Sequence, residues 1–146
     1  MYSFERLIGE HADITALVRA LTRAIEAGEH ADAQHRALTA LAGDLSGHLA
    51  REDADIYPRL MMCADEGTAS AARDAVKKFE TLAADWRAYV ARWSRDAIRN
   101  TPAGFAEAST AILTRLAARV KVEDDLLYPL ALRAAQITLR EERRAA

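Results

Sequence analysis

Four long stretches of this chain carry apolar residues at alternating steps of three and four. That spacing commits each stretch to a helix with one buried face. The first reads Phe4, Leu7, His11, Ile14, Val18, Leu21, Ile25 and stops at Gly28. The second reads Leu38, Leu41, Leu45, His48, Glu52, Ile56, Leu60 and ends near Cys63, before the small and polar segment 64–67. The third reads Val76, Phe79, Ala83, Trp86, Val90, Trp93. The fourth opens at Asn100-Thr101-Pro102, where Thr101 is placed to cap and Pro102 suits the first helical position. It continues Phe105, Ser109, Ile112, Leu116, Arg119, Glu123, Leu126, Leu130. Helices are expected over roughly 3–27, 31–63, 68–98 and 102–135, with residues 136–146 as a frayed tail. Connections this short force neighbouring helices to run antiparallel. The expected fold is therefore all-α, an up-down-up-down four-helix bundle in a single domain spanning 1–146.

Composition supports a packed core, since 51% of the 146 residues are hydrophobic and only six Gly and three Pro interrupt the chain. A formal charge of −2 with acids and bases interspersed offers no surface for nucleic acid. No apolar run approaches the roughly 20 residues a membrane span needs. The residues from Met1 to Arg6 lack a signal-peptide pattern, and the single Cys63 excludes an internal disulfide, so a cytoplasmic location is the expectation.

A segment of the second helix returns in the fourth. His48-Leu-Ala-Arg-Glu52-Asp-Ala-Asp-Ile-Tyr57-Pro58 aligns without gaps to Arg119-Val-Lys-Val-Glu123-Asp-Asp-Leu-Leu-Tyr128-Pro129, at a constant offset of 71. Two related helical hairpins would produce it. Pro58 and Pro129 each remove a backbone donor and crowd the preceding turn, so a kink or a stop is expected at both.

Five seam positions carry the wrong residue for a plain core: His11, His48, Glu52, Arg119 and Glu123. Buried charges without partners cost several kcal/mol, so these side chains need one another, a metal or water. At ~1.5 Å of rise per residue, counting from the turns places His11 and His48 at one height and brings Glu52, Arg119 and Glu123 into the same layer. Two imidazoles and two carboxylates converging there suit a first-row metal. The plain alternative is a hydrogen-bonded, metal-free set in which Arg119 balances the two acids. His30 and His35 lie near no seam acid and read as solvated; Trp86 and Trp93 read as core. Cys63, beside Met61 and Met62, reads as a small apolar residue. The charge runs Glu52-Asp53, Glu123-Asp124-Asp125 and Lys77-Lys78 are otherwise expected to be solvated.

Glu10-His11, the segment from His48 to Pro58 and the segment from Glu123 to Pro129 together resemble the hemerythrin-like (HHE cation-binding) domains, over nearly the whole chain. That resemblance implies a helical bundle holding a non-haem di-iron centre. The family supplies histidine from its first three helices, His-x-x-x-Glu from the second, and His-x-x-x-Glu or a similar acid from the fourth. Two departures stand out: the third helix has no histidine, with Phe79 at the expected seam position, and Arg119 replaces the histidine of the fourth. What remains, His11, His48, Glu52 and Glu123, implies a mononuclear site. Iron is the leading metal, with zinc or manganese as alternatives. Arg119 would act as a charge surrogate in the vacated half, and Phe79 would fill the lost ligand position.

The resemblance implies sensing or binding of a small diatomic ligand (oxygen or nitric oxide) or of iron itself. A metal-free bundle that binds a protein partner or a second copy is the competing reading. An enzyme using peroxide or oxygen at a single iron with open positions is the third reading, ranked last; no nucleophile–base pair, phosphate-binding glycine loop or cysteine cluster points to another enzyme class.

Overall fold

A computed structural model describes residues 4–145, except the side chains of residues 137 and 138. Among the described residues the chain is helical throughout, without strands. The expected helix start at residue 3, and Ala146 at the end of the tail, lie outside them.

Helix α1 (Phe4–Glu26) ends where Gly28 takes a left-handed φ of 61°. Gly28 N–H donates to Ile25 O at 3.0 Å and Glu29 N–H to Ala24 O at 3.1 Å, the paired bonds of a Schellman turn. The chain reverses into α2 (Ala31–Arg51), and the two helices bury Leu7, Ile14 and Leu21 against Leu38, Leu41 and Leu45.

Beyond α2 the backbone widens into a π-helical turn over Glu52–Ile56 and continues as α3 (Tyr57–Met61). The same device recurs 71 residues later: α7 (Pro102–Val122), a π-helical turn over Glu123–Leu127, then α8 (Tyr128–Ala145). In each turn the tyrosine N–H reaches back five residues, Tyr57 to Glu52 O and Tyr128 to Glu123 O. The prolines explain the widening. Each would press on the carbonyl four residues earlier and has no N–H to offer it, and an extra residue in the turn relieves both problems. The helices therefore continue past Pro58 and Pro129 rather than stopping, and the expected frayed tail is helical as far as Ala145.

The inserted residue also moves the buried seam. Leu127 is fully buried while Leu126, the expected core residue, is 46% exposed. After it the seam passes through Tyr128, Ala131 and Ala134.

The expected third helix over 68–98 is instead three pieces: α4 (Glu66–Lys78), α5 (Leu82–Arg92) and α6 (Arg95–Asn100). Ser94 accounts for the second break, because its Oγ accepts from Ala97 N–H at 3.1 Å and starts a new helix. The buried spacing nevertheless runs on through Ala69, Ala72, Ala75, Phe79, Leu82, Trp86, Tyr89 and Trp93. Ala75 and Leu82 thus take the core places expected of Val76 and Ala83. Thr101 makes no side-chain cap on α7. Its methyl group covers Gly104, where an added Cβ would lie 2.8 Å from it, and only its carbonyl caps, accepting from Phe105 N–H.

Packing closes around a common interior: α1 lies against α2 and α7, and α5 lies against the same two helices. His11, His48, Arg119 and both π-helical turns present buried side chains to that interior.

Candidate metal centre

His11 projects from α1, His48 from α2, and Glu52 and Glu123 from the first residue of each π-helical turn. All four are at least 97% buried. Each offers one ligand atom such that the four atoms lie within 4.8 Å of one another. The structure thus brings together the five seam residues singled out in the sequence, the four candidate ligands and Arg119, which is equally buried.

The outer nitrogens fix the rings. His11 Nδ1 lies 2.8 Å from Asp124 Oδ1, and His48 Nδ1 lies 3.3 Å from Glu10 Oε1. A carboxylate oxygen can only accept, so each Nδ1 carries the hydrogen and each Nε2 presents a lone pair when the ring is neutral. Those two Nε2 atoms face one another at 3.1 Å. Glu52 Oε1 sits 3.1 Å from His48 Nε2, and Glu123 Oε1 sits 3.3 Å from His11 Nε2. Two lone pairs at that separation repel unless a proton or a metal cation lies between them. Tetrahedral sites with metal–nitrogen distances of about 2.0–2.1 Å hold neighbouring donors roughly 3.3 Å apart, so the spacing matches.

Glu123 Oε1 is buried and accepts no hydrogen bond, its nearest cationic neighbour being His11 Nε2 at 3.3 Å, and a metal would satisfy it. Imidazole N–H held by a carboxylate is the usual support behind a metal-bound histidine. The residues present fit a divalent first-row ion with two nitrogen and two oxygen donors.

Around the two carboxylates lies a cationic and phenolic clamp, which reaches Glu52 Oε1 as well as both Oε2 atoms. Arg119 Nη2 donates to Glu52 Oε1 at 3.2 Å and to Asp53 Oδ1 at 2.9 Å, while its Nε donates to Glu123 Oε2 at 3.2 Å. Tyr57 donates to Glu123 Oε2 at 2.6 Å, and Tyr128 donates to Glu52 Oε2. Arg51 Nη2 donates to Glu10 Oε1 at 2.7 Å, steadying the support of His48.

Charge and burial contend across the site. Burial disfavours a charged His11, but the carboxylates of Glu123 and Glu52 outweigh it and push the imidazole up to about 10. His48 is raised against the same burial, chiefly by Glu52. Glu52 is held well below the ordinary carboxylate range: burial opposes its charge, yet the two imidazoles and Arg119 prevail. Glu123 moves the other way, because burial and the neighbouring charge of Glu52 exceed the help it receives from His11 and Arg119. Arg119 stays charged despite burial, held by Glu52 and Glu123. A pocket that draws protons this strongly onto facing donors is one a divalent cation can enter by displacing them.

Phe79 is buried in the apolar core at the end of α4, with the Lys78 ammonium over its ring at 5.4 Å. His30 is exposed and His35 half-buried, and neither joins the cluster. Trp86 is core, its ring N–H donating to Ser46 Oγ at 3.0 Å, and Trp93 is core beside Phe105.

Sequence reasoning missed Tyr57 and Tyr128 as parts of the centre and read Asp53 and Asp124 as solvated. Both are exposed as expected, and in addition Asp53 braces Arg119 and Asp124 orients His11. The signal was present: all four lie inside the 71-residue repeat, as Glu-Asp and Tyr-Pro at matching places. Asp125 is solvated as expected, paired with exposed Lys121.

No helix is long and apolar enough to cross a membrane, among the described residues. No curated protein and no solved structure matches the chain. A family model does: the hemerythrin HHE cation binding domain, over residues 3–131. With nearly nine-tenths of the sequence inside that match and the buried His/Glu cluster at its centre, the chain belongs to the hemerythrin HHE cation-binding domain family.

Proposed function

We propose that this protein holds a single transition-metal ion, iron(II) foremost, between His11, His48, Glu52 and Glu123, and uses it to sense or bind oxygen, nitric oxide or iron itself. Zinc or manganese would suit the same donors. The observation that carries this reading is the pair of buried Nε2 atoms 3.1 Å apart, each with its Nδ1 turned to a carboxylate, beside the buried Oε1 of Glu123, which accepts no hydrogen bond. When bound, the ion supplies one-electron chemistry and a coordination position for a small ligand.

The residues of the chain do the rest. Asp124 and Glu10 hold the imidazoles in the ligating tautomer. Arg119 stands for the second cation of the family's di-iron centre, its guanidinium joining Glu52 to Glu123 and leaving no uncompensated acid pair. Phe79 takes volume where the family has a ligand. An antiparallel up-down-up-down four-helix arrangement in a reducing, cytoplasmic compartment accompanies this reading. With one ion rather than two, sensing or one-electron chemistry is favoured over reversible oxygen transport.

Elemental analysis of protein purified without a metal-binding tag tests the proposal. One iron per chain is the expected result. Two per chain would refute the role given to Arg119. None, even after anaerobic reconstitution, leaves the second reading, a metal-free bundle serving a protein partner or a second copy. The ion pairs of Arg119 with Glu52 and Glu123 favour that alternative, because they already balance part of the buried charge.

A further inference from the structure

Each carboxylate of the centre has one oxygen held by a phenol that comes from the other half of the chain. Tyr57 follows Glu52 by five residues yet donates to Oε2 of Glu123; Tyr128 follows Glu123 by five and donates to Oε2 of Glu52. The rings cannot easily swing away. Tyr57 is 4% exposed and lies under the Arg119 guanidinium at 5.1 Å. Tyr128 is 1% exposed and is stacked on His11 at 5.7 Å, with Phe4 on it at 5.6 Å. The opposite oxygens face the imidazoles: Glu52 Oε1 toward His48 Nε2 and Glu123 Oε1 toward His11 Nε2.

A carboxylate with both oxygens free can chelate one ion or bridge two. One whose second oxygen is turned to a phenol donor, with Arg119 Nε beside it in the case of Glu123, has only a single oxygen aimed at the imidazoles. We propose that Tyr57 and Tyr128 are positioning residues that confine Glu123 and Glu52 to one metal-facing oxygen each, setting the centre to one ion of low coordination number. The inference rests on the metal reading above and assigns the tyrosines no ligand role. The two act symmetrically across the repeat, which explains why the Tyr-Pro pair recurs with the Glu-Asp pair at the same offset of 71.

Anaerobic titration of the full chain with cobalt(II) tests this. Its visible absorption is intense in four-coordinate sites and weak in six-coordinate ones, so the readout is independent of any activity. The wild-type protein is expected to bind one cobalt with the intense spectrum. Tyr57→Phe and Tyr128→Phe should each bind ~10-fold more weakly or worse, the usual range for losing a supporting hydrogen bond, with a weakened spectrum or a second bound cobalt. Tyr89→Phe, which removes a buried phenol bonded to Ser109 instead, should match wild type and serves as the control. Should one variant lose its helical circular dichroism, the other carries the test, because they act on different carboxylates.

Variants with wild-type affinity and spectrum overturn the inference while leaving the metal site standing. An iron(III)-loaded wild type with a phenolate charge-transfer band also overturns it, by making a tyrosine a ligand. Wild type that takes up no cobalt overturns the metal reading and this inference with it.

Discussion

At the scale of single residues, Arg119 is the permanently charged cation buried against both central acids, and its guanidinium matches their oxygens in a way an ammonium could not. Removing it takes away the permanent counter-charge of Glu52 and Glu123 and leaves only the imidazoles to balance them; breaking a buried pair typically costs about 3–5 kcal/mol. Arg119→Met is therefore expected to lower the stability of metal-free protein by that order, read from urea unfolding. A divalent ion should restore more of the stability of the variant than it adds to wild type, since it supplies charge the variant lacks. Equal gains in both would show that Arg119 and the ion do not share the same acids. Arg119→His poses the complementary test. It returns the family's histidine to α7, but the segment from Glu66 to Asn100 still contains no imidazole. Elemental analysis of this variant should still give one iron per chain.

At the scale of the elements, the two π-helical turns are what assemble the site. In a regular α-helix, a residue five positions on lies about 140° around the axis from its starting point, so Tyr57 would face away from Glu52 and Tyr128 away from Glu123. The wider turn brings each tyrosine back toward the face that carries the carboxylate, and both are buried there. Pro58→Ala supplies an N–H to the carbonyl of Ala54 and makes the narrower α register available. It is expected to weaken metal binding several-fold by isothermal titration while leaving the helical circular dichroism intact. An unchanged affinity would separate the π-helical turn from the proline.

The same geometry explains what could be read in the sequence. His11, His48, Glu52, Arg119 and Glu123 were legible because they interrupt an apolar seam whose α-helical period holds up to the start of each π-helical turn. Tyr57, Tyr128 and the burial of Leu127 in place of Leu126 were not. They lie at or beyond the inserted residue, and a period of 3.6 carried through it points to the wrong face. The break between Lys78 and Leu82 was illegible for a different reason. No proline or glycine marks it, and the buried spacing passes through Phe79 without a fault.

At the scale of the whole molecule, the buried cluster ties stability to protons and, in the proposed reading, to metal as well. The hydrogen-bonded groups at the site include five carboxylates (Glu10, Glu52, Asp53, Glu123, Asp124) against two guanidiniums (Arg51, Arg119), a formal charge of −3 when both imidazoles are neutral. Protonating His11 and His48 offsets two of those charges, and so does one divalent ion. The two are therefore alternatives for the same space, and metal uptake should release protons. The direction of the pH effect on metal-free protein follows from His11. Its imidazole is raised from 6.5 to about 10 on folding, so its contribution is complete below pH 6.5 and is lost as the pH climbs through 10. The raised Glu123 acts in the same sense at lower pH, favouring the fold most when protonated. Unfolding free energy of chelator-treated protein should accordingly fall between pH 6.5 and 10, by on the order of 3 kcal/mol. Metal-loaded protein should hold steady across that window, since the ion occupies the nitrogens that would otherwise lose their protons, and should weaken on the acid side as protons compete for the same donors. Urea titrations at matched pH, with and without metal, check both halves. A metal-free protein whose stability is flat from pH 6.5 to 10 would mean that His11 does not share its buried position with a proton, and the exchange of proton for ion would lose its basis.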